Sequence, residues 1–219
     1  TSRNLTRQAC FVIDASHDSE DIQQFREIFV KRLIAYVHAL RCHLRNEDPT
    51  EAIKQFLPPE DLTKVLASGH RPLAILHQLG HDLASARDRH WLHELNFPSM
   101  DAQLNELSNI LGGCERIKNT PIPFSYSVLI HRIVASYCLF LPFGLVETTG
   151  VLTPIVVLLI SYAFFELDAI GDEIENPFGL QPNDLPLTAI SRNVEINLLE
   201  LINYPDRPAA LKPENDILM

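Results

Sequence analysis

From Ser19 onward, apolar residues fall at Ile22, Phe25, Ile28, Phe29, Leu33, Tyr36, Val37, Leu40 and Leu44. Steps of three and four put these positions on one face of a long helix, which Asn46 to Pro49 ends. PPEDLTKVLASG predicts a short helix opened by Pro59, with Glu60 and Asp61 in its first turn and Gly69 closing it. A third helix follows Pro72 through Leu76, Leu79 and Leu83 to about Leu95. Ser99 is placed to cap a fourth, with Leu104, Leu107, Ile110, Leu111, Cys114 and Ile117 facing inward. The alternation that marks strands is absent, so the reading is all-α.

The pattern then changes. Ile122 to Val146 is interrupted only by His131 and Arg132, and Thr148 to Phe165 carries no charge. Both runs reach the roughly 18–25 residues of a membrane-spanning helix. Pro123 is a start signal for the first, because a proline fits a helix beginning and fails further in. Thr153-Pro154 does the same for the second, leaving ETTG, Glu147 to Gly150, as the connection. Two spans in a hairpin are expected, at about 122–146 and 154–175. Arg116, Lys118 and Arg132 lie toward the start of the first, so the charge bias puts both polar flanks in the cytoplasm. A soluble helical bundle that buries the hairpin is the alternative, and Arg132 is its best support, since a charge within a span is costly.

The formal net charge of −10 over 219 residues excludes a nucleic-acid partner, because phosphate binding requires clustered Lys and Arg. Cys10, Cys42, Cys114 and Cys138 are widely spaced with no CxxC pair, which favours reduced thiols. The chain opens on Thr1 inside a helix-compatible run, which reads as a truncated start. Three segments follow: 1–119, a helical region; 120–175, the hairpin; and 176–219, a loop, a helix and a tail. In the last, Leu187, Ile190, Val194, Leu198 and Leu201 form a helical stripe.

Four short motifs carry a resemblance. Cys114-Glu115-Arg116, Thr120-Pro121-Ile122-Pro123 with Tyr126, Asn176-Pro177-Phe178-Gly179 and Asn183-Asp184-Leu185-Pro186 together resemble the bestrophin family of ion channels, bacterial and plant branches in particular. The resemblance covers the chain to about Ile202. It implies a homopentamer around a central pore, four membrane helices and a helical cytosolic region per subunit, and localisation in the cell membrane among lipid, with small ions as the permeating species. Family members conduct either chloride or cations. The acidic balance of this chain tilts the reading toward cations by enriching them near the pore.

The resemblance also implies that Thr1 to Asp14 is the cytosolic end of the second membrane helix, with the two N-terminal spans and the hydrophobic neck having no counterpart here. It places Ile122 in an apolar ring at the cytosolic mouth, the aperture, stiffened by Pro121 and Pro123. Such a ring gates by dewetting or filters by size. Read without the resemblance, Ile122 is a core residue beneath a helix start. The segment after NPFG wraps a neighbouring subunit in the family. Animal relatives follow NPFG with an acidic run that clasps calcium, whereas Leu180-Gln181-Pro182-Asn183-Asp184 supplies one carboxylate. Asp184 is therefore expected to cap the last helix, and Asp184, Asp172 and Glu175 to make at most a weak cation site.

Other residues carry less. His77 and His81, with Asp82 beside them, and His38 with Cys42 share i, i+4 faces, but no third and fourth ligands are placed, so no metal is assigned. His90 and His93 flank a polar helix end. Asp168, Asp172 and Glu175 share a face that either concentrates cations or is simply solvated or salt-bridged. A nucleophile with a placed base, a phosphate loop and HExxH are all missing, so neither enzymatic activity nor a cofactor is expected. A membrane-anchored interaction or metal-binding protein is the alternative function.

Overall fold

The computed structural model describes residues 1–13 and 20–213, the Asp172 side chain excepted. Its elements are α1 (Ser2–Val12), α2 (Glu20–Arg45), α3 (Thr50–Ile53), α4 (Pro59–Ala67), α5 (Arg71–Asp88), α6 (Phe97–Asn119), α7 (Phe124–Thr149), α8 (Thr153–Ile174) and α9 (Leu187–Leu201). Asp14 lies outside the described residues. The chain forms two units, Thr1–Arg116 with Pro186–Met219, and Ile117–Leu185.

In the first unit α2 is the central helix. Its periodicity predicts one apolar face, yet Val30, Ile34, Ala35 and Ala39 are buried along with Phe29, Leu33 and Tyr36, because α1, α3, α5 and α9 all pack on it. Leu5, Ala9 and Ile13 close the core from the α1 side. Arg32 reaches out of this apolar helix to Asp61 of α4 and Asp82 of α5, a paired arrangement that a nearly buried guanidinium requires. Burial raises the Asp82 carboxyl above its ordinary value, against the opposing pull of Arg32.

Several boundaries differ from the sequence reading. α5 ends at Asp88 rather than about Leu95, where His90 takes a φ of 59° and Leu92 pairs with Ile13 in an isolated bridge. α6 begins at Phe97, with the Ser99 and Met100 N–H groups donating to Asn96 O. Ser99 is thus inside the first turn and caps nothing; its hydroxyl accepts from Gln8 Nε2 at 2.9 Å. The four-residue α3 was too short to leave a periodic signal.

The second unit is the antiparallel hairpin of α7 and α8. Tyr137 packs edge-on against Phe164 with ring centroids 5.1 Å apart, and His131 Nε2 lies 3.3 Å from Asp168 Oδ2, which fixes the pairing register. Glu147 to Thr149 remain helical, so the reversal falls on Gly150–Leu152 rather than on ETTG. Gly150 has a φ of 53°, a conformation that costs only glycine nothing. Thr153 follows this turn, its hydroxyl donating to Gly150 O at 2.6 Å. Pro142 lies within α7, where it deletes one backbone bond.

Candidate functional site

The TPIP segment bridges α6 and α7 without regular structure, and prolines set its conformation from both sides of Ile122. Pro123 occupies the position before α7 rather than its first turn, and its carbonyl accepts from Tyr126 N at 2.7 Å. Ile122 is 48% exposed, outside the core cluster, and lines one end of a groove of about 280 Å³ along the hairpin. Tyr126, His131, Asp168 and Glu175 line the same groove.

Beyond the groove the hairpin surface is apolar and uncovered. Phe124 is 83% exposed, Phe143 75% and Val151 97%. The run Phe124–Gly171 is long and apolar enough to cross a membrane, and only 6% of its most apolar window is buried. A soluble bundle would have to cover such residues, since monomeric proteins rarely leave large contiguous apolar patches exposed. Arg132 is exposed in the third turn of α7.

The NPFG loop is held by its own backbone and one carboxylate. Leu185 N donates to Pro177 O at 2.9 Å, Gln181 N donates to Asp184 Oδ2 at 2.6 Å, and Phe178 is buried. Asp184 does not cap the last helix: α9 begins after Pro186 with no side-chain cap. The carboxylate is spent three residues upstream instead, because the turn from Gln181 to Asp184 brings that N–H within its reach. Glu175 and Asp184 belong to no three-ligand cluster among the described residues; the Asp172 side chain lies outside them.

The sequence-derived histidine pairs separate into distinct roles. His38 is buried, with its Nε2 2.9 Å from Glu195 Oε2 and its ring stacked on Phe56. Cys42 is buried and in no disulfide, its Sγ accepting from Arg41 Nη2 at 3.4 Å. His77 and His81 face each other on the surface of α5, Nε2 to Nε2 3.2 Å, but Asp82 turns away to Arg32. Sequence reasoning missed a third set. His43 Nε2 and His70 Nε2 each lie 2.7 Å from Glu115 Oε1, and the three ligand atoms sit within 4.8 Å of one another. Burial pushes the Glu115 carboxyl up, but the two imidazole hydrogen bonds outweigh it and hold the group below the ordinary carboxylate range. The only sequence signal was Glu115 in the Cys-Glu-Arg motif. Next to it, Cys114 is half-buried, and burial raises its thiol above the usual value, so the thiolate is disfavoured. Arg116 is exposed.

Among the described residues the regular elements are all helices, and the uncovered apolar hairpin is of the kind found in helical membrane proteins. The chain belongs to the bacterial and fungal bestrophin family: the family model described as "Bacterial/Fungal Bestrophin protein" matches residues 1–200. The chain is 40% identical over 213 residues to the Salmonella typhi "Voltage-dependent anion channel-forming protein YneE", covering 97% of this chain and 68% of that one. It is 39% identical over 213 residues to the protein of the same name from Escherichia coli strain K12, with the same coverage. A crystal structure of a bacterial bestrophin homolog from Klebsiella pneumoniae superposes with a TM-score of 0.84 at 37% identity, covering 93% of this chain and 74% of that one.

Proposed function

We propose that this chain is a subunit of a homopentameric ion channel of the cell membrane, that the α7–α8 hairpin is its two-span membrane anchor, and that Ile122 forms the aperture ring. The uncovered hairpin carries the reading: its apolar faces require lipid and neighbouring subunits, and Ile122 stands exposed at one end of it. Arg132 fits a span, because it lies about 12 Å from the start of α7, close enough for its guanidinium to reach the interface.

Anions are the permeant ions that the relatives' names favour. The acidic net charge is a weaker guide, since a whole-chain sum does not locate carboxylates at the permeation path. The full-length protein reconstituted in planar bilayers under a chloride gradient tests this. A reversal potential near that of chloride supports anion conduction. One near that of the cation reverses the selectivity but leaves the channel standing, and the absence of any current refutes it.

A further inference from the structure

We infer that His43, His70 and Glu115 form a binding site for a zinc-class divalent ion, joining α2, the start of α5 and the end of α6. Two imidazole nitrogens converge on one carboxylate oxygen at 2.7 Å each, and all three ligand atoms lie within 4.8 Å. Two histidines and a glutamate are a set that zinc accepts, with a fourth, tetrahedral position left for water. Solvent reaches the site: the three side chains are 32%, 35% and 28% exposed. Calcium is excluded by chemistry, because it requires six to eight oxygen ligands and the site offers mainly nitrogen.

The site is held before any ion arrives. Tyr36, seven residues before His43 on α2, donates its hydroxyl to Leu107 O at 2.9 Å, eight residues before Glu115 on α6. That buried bond ties α2 to α6 about two turns from the site, so His43 and Glu115 meet without searching for each other. On the third element, His70 is the residue preceding α5, and its Nδ1 accepts from Leu73 N at 3.3 Å. Neutral His70 therefore carries its proton on Nε2, pointing at Glu115. An ion bound at Nε2 displaces that proton to Nδ1 and gives up the Leu73 contact. The exchange suits an ion that binds imidazole strongly and no other, which sharpens the discrimination against calcium and magnesium.

Calorimetric titration of the full-length, detergent-purified protein with zinc chloride at neutral pH tests the site. One zinc per subunit is expected, with affinity reduced about tenfold or more in both His43→Gln and Glu115→Gln, unchanged in His77→Gln, and no heat from calcium chloride under the same conditions. Size-exclusion profiles matching the unsubstituted protein establish that the variants are folded. As a second readout, cobalt(II) in place of zinc gives the visible bands of a tetrahedral nitrogen and oxygen site, lost in the double variant His43→Gln/His70→Gln. Zinc binding of undiminished affinity in that double variant, or no binding at millimolar zinc, overturns the assignment.

Discussion

At the scale of single residues, the Gly179 and Asp184 pair gives a direct test of the NPFG loop. A Cβ on Gly179 would stand 2.5 Å from Asp184 Oδ2, the atom that accepts from Gln181 N. Gly179→Ala is expected to destabilise the loop by about 1–3 kcal/mol, read as a lowered melting temperature. Gly179→Ala combined with Asp184→Ala is expected to lose less than the sum of the two, because they share one contact. Ile122 makes a different prediction. With its side chain exposed and outside the core cluster, Ile122→Ala is expected to leave assembly intact and to raise permeability to large ions, read from bi-ionic reversal potentials. Unchanged size selectivity would remove the aperture from the proposed function. Glu115 contributes a pH dependence. Its folded-state pKa is depressed below the unfolded value by His43 and His70, against the opposing effect of burial. Its stabilisation is therefore full above the ordinary glutamate value and is lost as pH falls through the depressed one. Thermal melts across that acid range are expected to show a shallower decline in Glu115→Gln than in the unsubstituted protein.

At the scale of elements, α9 is the informative one. Its sequence stripe of Leu187, Ile190, Val194, Leu198 and Leu201 predicts a single face that buries. In the folded chain Ala189, Ser191, Glu195, Leu198 and Leu199 are buried while Ile190 and Leu201 are 46% and 41% exposed, and α9 packs on α1 and α2 of its own chain. The rotation of the buried face has a physical cause. Glu195 is drawn inward by His38, and both side chains are nearly inaccessible, 4% and 7% exposed. Glu195 also pairs with Arg192 Nη1 at 3.3 Å, so it keeps a partner when His38 is removed; removing Glu195 instead takes away the carboxylate that His38 faces in the core, so Glu195→Ala is expected to cost roughly 1–3 kcal/mol, and His38→Ala/Glu195→Ala less than the sum of the single changes. Chemical denaturation of the three variants measures this. Truncation after Gly179 removes α9 from the core cluster that holds Leu198 and Leu199. The expected result is loss of the cooperative melt of the first unit, ahead of any effect on subunit association.

At the scale of the whole molecule, the chain joins a unit with a dense helical core to one whose apolar surface is uncovered. The asymmetry predicts that removal of detergent precipitates the protein while the isolated hairpin surface is the cause; substituting Phe143 and Val151 with serine is expected to reduce precipitation without shifting the melt of the first unit. It also bears on calcium. The carboxylate of Asp184 is already engaged by Gln181 N, and among the described residues it belongs to no three-ligand cluster, whereas calcium takes six to eight oxygens. Calorimetry with calcium chloride is expected to find no micromolar site that Asp184→Ala abolishes.

The sequence by itself determined the features that follow from local periodicity and backbone chemistry. The long α2, the proline-opened α4, the apolar hairpin and the stiff TPIP segment are legible because spacing, prolines and charge-free length act over a few residues at a time. The motifs made the family legible as well. The tertiary structure alone decided what depends on residues distant in the chain. It ended α5 early through the Leu92 bridge to Ile13, moved the reversal of the hairpin onto Gly150, sent Asp82 to Arg32 and Glu195 to His38, and brought His43, His70 and Glu115 to one point. Packing supplies the reason: a charge or imidazole takes whichever partner the folded chain presents, most strictly where it is buried, and that choice leaves no mark on the spacing of either residue.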